Sequence, residues 1–304
     1  MRSLERMVVG LPINEIDKDL VDYAMMLVQQ GIVKHLDFIH VIETEEAIDT
    51  PSRLEFVRQS MQSIVERRQP TFLVPPEITY HVLMGVREDQ LCSYLDSNKD
   101  FGVILLGHRE SHSSGKRSLA RRLAMISPAS VWIVPQNSPP RISHVLAPVD
   151  FSSHSADSIS VATGIAQKVD LKNCDGLHVF YDPSVFRYED HNSIQKDELK
   201  ETFEEFMRPL NTHDVAVEQI LEEGSNVAKT AIRVCKERGH DLIVISTRGR
   251  SPAASILLGS ETSQIIMESQ VPVLAVKHRG AKMRLFQVLT SDELWMSKDK
   301  GVHE

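Results

Sequence analysis

Asp241 to Ser260 reads DLIVISTRGRSPAASILLGS. Its opening run, Leu242 to Ile245, is apolar and rich in β-branched side chains, which is how a strand buried on both faces of a parallel sheet reads. The run ends in a polar turn, Ser246-Thr247-Arg248-Gly249-Arg250, and further on come Gly259-Ser260 and the helix-periodic Ile265, Ile266 and Met267. A strand that feeds a glycine-bearing loop opening a helix is a natural anion site. Glycine lets the backbone close on the ligand, and unpaired helix N–H groups point at it. The stretch reads as a phosphate cradle, with Arg250 at hand as a counter-charge.

Working outward, the same alternation of strand and helix fills the chain. Met7 to Leu11, Leu36 to Ile42, Glu77 to Leu83, Gly102 to Leu106 and Val131 to Val134 read as strands, with helical patterns between them at Leu20/Ala24/Leu27, Arg53 to Arg68 and Gln90 to Leu95. Such an order implies parallel β-α-β units with right-handed crossovers. Pro135-Gln-Asn-Ser-Pro-Pro140 interrupts it, since adjacent prolines continue neither helix nor central strand. The order then repeats. Val145 to Val149, Leu177 to Phe180, Val215 to Leu221, Leu242 to Ile245 and Val273 to Val276 are the strands; Ser155 to Lys168, the stripe Leu199/Phe203/Phe206/Leu210 and the face Val227/Ala231/Val234 are the helices. Matching Val8 with Val145, Val103 with Ile243 and Val131 with Val273 gives a period of about 140 residues, that of a duplicated domain rather than a solenoid unit. The expected division is 1–137, 141–279 and a C-terminal extension, 280–304.

The 304 residues suit two domains, each able to bury its own core. A formal charge of −8 argues against a non-specific grip on nucleic acid. Cys92, Cys174 and Cys235 have neither disulfide nor zinc spacing and read as buried thiols in a reducing compartment. There is no signal-peptide layout and no apolar run near the ~20 residues of a membrane helix, so the cytoplasm is the expected location.

Asp150 closes the first strand of the second repeat, just before Phe151 and Ser152. A carboxylate there can accept from an amine or hydroxyl of a ligand, or serve the following helix as a cap. The segments VLAPVDFS, LHVF, DLIVISTRGRS and LLGSETSQIIMESQVPVLAV resemble the universal stress protein family in order and spacing across the whole second repeat. The resemblance implies two tandem open parallel five-stranded sheets of order 3-2-1-4-5 with helices on both faces. It also implies antiparallel pairing of VWIV (131–134) with VPVLAV (271–276), so that one chain equals a family homodimer. ATP-binding members carry Gly-x2-Gly-x9-Gly-Ser/Thr. Here the last two glycines fall on Gly249 and Gly259, followed by Ser260, and the first falls on Ser246, whose side chain either crowds a nucleotide or donates to it. By resemblance, Pro148, Val149, Asp150 and the backbone of Val179 hold the adenine side. Ser246, Gly249, Arg250, Gly259, Ser260 and the N–H of Glu261 hold the phosphates.

The first repeat departs from this pattern. Ile13 aligns with Asp150, Glu110 stands where the second glycine belongs, and Arg117-Ser118 replaces the final Gly-Ser, so this half is expected not to bind ATP. Gly115-Lys116 lacks the flanking residues of a P-loop. Lys116, Arg117, Arg121 and Arg122 form either a solvated helix face or a dock for an acidic partner or anion. His108 and His112 have zinc-like spacing on a stretch with no helical pattern, and MSKDKG in the tail lacks the companion motif of a class I tRNA synthetase.

The expected function is therefore a cytosolic stress-response regulator or sensor. It takes ATP, with or without Mg2+, in its C-terminal domain only, answers to an unidentified protein partner, and hydrolyses slowly if at all. Neither nucleic acid nor membrane is a partner, and further homodimerisation is left open. The alternative is a scaffold or non-nucleotide small-molecule sensor with both sites drifted. An adenylate-forming or electron-transfer enzyme lacks its motifs.

Overall fold

The computed structural model describes residues 4–43, 50–109, 118–181, 189–248 and 258–277. The first half runs β1 (Arg6–Gly10), α1 (Asp17–Gln29), β2 (His35–Ile42), α2 (Thr50–Glu66), β3 (Glu77–Met84), α3 (Arg87–Ser97), β4 (Val103–His108), α4 (Leu119–Ile126) and β5 (Ser130–Pro135). The second runs β6 (Val145–Pro148), α5 (Ser153–Lys168), β7 (Asn173–Phe180), α6 (Glu189–Met207), β8 (Ala216–Glu223), α7 (Val227–Arg238), β9 (Leu242–Ser246), α8 (Ser260–Glu268) and β10 (Val273–Val276).

All ten strands form one sheet, in the order β3-β2-β1-β4-β5-β10-β9-β6-β7-β8. Each half has the order 3-2-1-4-5 with parallel neighbours. The halves meet where β5 and β10 pair antiparallel, Leu274 opposite Trp132. Pairing two apolar strands that would otherwise be open edges removes an aggregation hazard. Among the central strands β6, β9 and β10 are buried at every residue, whereas the edge strand β3 is half-exposed or exposed along its length. This is why β9 reads as a continuous apolar run and 77–83 reads as an alternation.

Because successive strand residues face opposite sides, the core is two layers. One contains Met7, Val9, Leu105, Trp132, Val244 and Leu274; the other contains Val8, Ile104, Val131, Ile133, Ile243 and Ala275. Both layers run through the β5–β10 junction. The three cysteines are buried, and burial pushes each thiol up to about 12.

Local chemistry fixes the helix ends. Ser152 caps α5 by accepting from Ser155 N–H, and Asn226 caps α7 by accepting from Lys229 N–H at 2.7 Å. α7 ends at Gly239, whose φ of 72° suits glycine. Asp241, next in line, is buried and gathers the connection into the second half. It accepts from Ser143 N at 2.9 Å, from Ser143 Oγ at 2.5 Å and from His144 N at 3.0 Å. Asp241→Ala leaves two backbone N–H groups without their acceptor, and we expect a loss of about 2 kcal/mol in urea unfolding, with Asp241→Asn losing less.

Two details of the sequence reading need correction. Leu11 N–H donates to Ile39 O and Val149 N–H to Leu177 O, so the counterpart of Asp150 is Pro12, not Ile13. The strand matches shift with it: Val8 pairs with Asp37 as Leu146 does with Asp175, and Ile104, not Val103, stands where Ile243 does. Hydrophobic runs buried on both faces do not report a one-residue slip. Ile13 instead matches Phe151, and both hold left-handed backbone, at φ 55° and 62°. Leu210 lies beyond the end of α6, yet still packs on the core beside Phe206.

Candidate functional site

In an open parallel sheet the crevice lies where neighbouring crossovers go opposite ways, beyond the carboxyl ends of the strands. In the second half that point is between β6 and β9, which pair through Leu146 and Ile243. Pro148, Val149 and Asp150 leave the end of β6, Val179 sits near the end of β7, and Ser246 ends β9. Gly259, Ser260 and Glu261 open α8, which three bonds hold in place. Gly259 N–H donates to Thr247 O at 3.0 Å, Thr262 Oγ1 to Ser246 O at 2.9 Å, and Thr247 N–H to Val276 O at 3.0 Å. The structure therefore brings the eight described members of the sequence-based set to one edge. Gly249 and Arg250 lie outside the described residues, as do Glu110, His112, Gly115, Lys116, Arg117 and the tail.

The side chains refine the roles. Asp150 braces the turn after β6: its Oδ1 accepts from Ser152 N at 3.1 Å and from Ser152 Oγ at 2.6 Å, while Ser152 is the cap. Ser246 Oγ donates to Arg248 O at 2.5 Å, so its hydrogen is used within the turn and not offered to a ligand. The N–H of Gly259 is likewise engaged. The donors left to the first turn of α8 are those of the residues after it, as at any helix start. Glu261 turns its side chain away and accepts from Ala228 N–H at 2.8 Å, at the start of α7. Among the described residues a Cβ on Gly259 would meet Thr262 Oγ1 at 3.5 Å and Thr247 O at 3.9 Å, both ordinary contacts.

Beside β6, His178 Nδ1 donates to Val149 O at 2.9 Å, and Phe151 stacks on the imidazole at 4.2 Å between ring centres. Phe206 meets Phe151 edge-on at 5.6 Å. The result is an aromatic wall behind the adenine-side residues.

Two cations went unseen in the sequence. Lys277, just past β10, donates from Nζ to Met125 O at 2.8 Å, close to the end of α4 in the other half. Burial, and after it the charge of Arg248, draws its pKa down to about 8. Arg248 follows Thr247 at the end of β9. Among the described residues neither cation has a carboxylate partner. An anion between them would relieve their mutual repulsion. Lys277 was hidden because its place depends on the antiparallel junction, which no local pattern encodes. Thr262 was hidden because its hydroxyl reads as one more polar residue in a helix's first turn.

The first half closes the equivalent position differently. A Cβ on Gly107, the counterpart of Ser246, would come within 2.6 Å of Ile16 Cδ1, so that isoleucine covers this glycine. Arg122, in the basic run, pairs with Glu88 at 2.9 Å. Among the described residues no group of three metal-ligating side chains occurs, and no helix is long and apolar enough to cross a membrane.

The sequence profile of the universal stress protein family matches residues 141–277. A curated universal stress protein of Methanocaldococcus jannaschii is 28% identical over 85 residues, which cover 28% of this chain and 52% of that protein. The chain thus spans about half the length of the curated relative it matches. Among solved structures, a functionally unknown protein of Pseudomonas aeruginosa PAO1 superposes with a TM-score of 0.64 at 14% identity, covering 92% of this chain and 95% of that one. A universal stress protein of Archaeoglobus fulgidus gives 0.61 at 17% identity, covering 91% and 97%. These likenesses extend the shared fold over both halves, and residues 141–277 belong to the universal stress protein family.

Proposed function

We propose that the second half, residues 141–279, binds ATP or a related nucleotide, and that the chain acts as a cytosolic stress-response regulator or sensor. The observation that carries this is the edge where Asp150, the end of β9 and the start of α8 converge beside Arg248 and Lys277, two cations with no carboxylate partner among the described residues. Adenine would lie toward Val149 and Val179, and the phosphates toward the first turn of α8, whose N–H groups and dipole favour negative charge. Mg2+ would arrive with the nucleotide. The sequence has no lysine-serine P-loop, so the site is suited to holding a nucleotide rather than turning it over quickly. Residues 1–137 form the other unit, with no ATP site, and residues 280–304 an extension. A protein partner would read the nucleotide-dependent state.

Calorimetry with ATP and Mg2+ at millimolar concentration tests this. We expect heat that saturates at one nucleotide per chain; no heat, or two equivalent sites, would reject it. The scaffold or non-nucleotide sensor draws support from Ser246 Oγ and Gly259 N–H, both of which bond within the protein. The mass of whatever co-purifies with the native chain separates the two readings.

A further inference from the structure

The first half holds a cavity of about 620 Å3 at the carboxyl ends of β1, β2 and β4, the place that mirrors the candidate nucleotide site. Its walls are about half apolar, with Leu11, Ile39, Leu91 and Leu106 from the first half and Met267 from α8 of the second. Nucleotide binding is disfavoured here, because Ile16 covers Gly107 on the phosphate side and Pro12 stands in place of Asp150 on the adenine side. The charges at the rim also disfavour an anion. Arg87 is neutralised by Glu43 at 2.9 Å and Arg109 by Glu15 at 3.0 Å, and Glu268 adds a further carboxylate to the wall.

The polar lining includes Asn14, His40, His108 and Ser118, and of these His40 has a tautomer fixed by its bond to the backbone. His40 lines the cavity, and its Nδ1 lies 2.7 Å from Leu11 O. A carbonyl only accepts, so Nδ1 carries the hydrogen. Burial holds the ring's pKa below its ordinary value, which leaves Nε2 as an unprotonated acceptor at neutral pH. We propose that this cavity binds an uncharged, largely apolar small molecule, seated on the aliphatic walls and donating one hydrogen bond to His40 Nε2. The size falls in the range of small-molecule pockets, which are mostly apolar with a few placed polar groups. This site is separate from the nucleotide site and stands whether or not ATP binds.

The probe that matches this chemistry is N-phenyl-1-naphthylamine, an uncharged diarylamine with a single N–H and a fluorescence that rises in apolar surroundings. With the full chain we expect a saturable rise at one probe per chain, unaffected by excess ATP. His40→Phe, which keeps the apolar bulk and removes the acceptor, should weaken binding about fivefold. Met267→Trp fills the cavity from the partly exposed α8 side and should weaken it at least about tenfold with unchanged circular dichroism. The anionic analogue 8-anilino-1-naphthalenesulfonate should bind at least about tenfold more weakly, because Glu268 lines the cavity and, among the described residues, Arg87 and Arg109 are already paired with carboxylates. No saturable rise, tighter binding of the sulfonate, or affinity unmoved by both substitutions would overturn the proposal. Displacement by ATP would also overturn it.

Discussion

Gly259→Asp is expected to weaken ATP binding by roughly a hundredfold or more while leaving stability unchanged or slightly raised. The two effects separate because residue 259 serves the fold and the ligand in different ways. For the fold it is the residue before α8, with φ of −56° and described neighbours that leave ordinary room for a Cβ. Aspartate is among the preferred residues at a helix N-cap and favours the positive end of the helix dipole, so the substitution suits α8. For the ligand, a carboxylate would occupy the place where phosphate oxygens approach the first turn. Two like charges about 4 Å apart repel by about 4 kcal/mol at the effective dielectric of a protein surface, and each 1.4 kcal/mol is tenfold in affinity. Even after relaxation and screening, a hundredfold remains. Calorimetric titration beside a thermal melt reads both quantities. Unchanged affinity in a variant that melts normally would remove the start of α8 from the nucleotide site.

How far the sequence carried the reading depended on the range of the interactions concerned. The strand at 242–245 was legible because burial on both faces leaves a continuous apolar run. The sheet order and the pairing of 131–134 with 271–276 followed from the family resemblance, which rests on local segments in fixed order. Long-range placement escaped. Lys277 reaches Met125 across the junction of the halves, and Asp241 holds Ser143 and His144 nearly a hundred positions earlier in the chain. Neither residue sits in a pattern that a window of sequence would mark. The slip from Pro12 to Ile13 has another cause. In a strand apolar on both sides every register looks equally good, and only the hydrogen bonds of Leu11 and Val149 choose one. Gly259 shows a third kind of limit. Its presence in the motif was plain, but its N–H is committed to Thr247 O, a bond that the motif does not encode.

The junction supplies the second large effect. Trp132→Ala is expected to cost about 3–5 kcal/mol, because it removes one of the largest fully buried side chains and leaves a cavity that rigid strands on both sides cannot close. Trp132 stands opposite Leu274 of β10 and meets Tyr23 of α1 edge-on, with ring centres 5.8 Å apart. It thus contacts a helix of the first half and a strand of the second at once, inside a core layer that runs through both. If that shared layer makes the halves one cooperative unit, the variant should melt in a single calorimetric transition, lowered on the order of 10 °C. The second half would then fall with the first, although the substitution lies outside it. Two transitions, with only the earlier one displaced, would mean that the antiparallel pairing joins the halves without coupling their stability. In that case the second half, where ATP is proposed to bind, should retain its affinity in the variant at temperatures where the first half has already unfolded. A coupled molecule would lose binding in step with the single transition. Titrating ATP across the melting range therefore reports on the junction through the very site it is proposed to support.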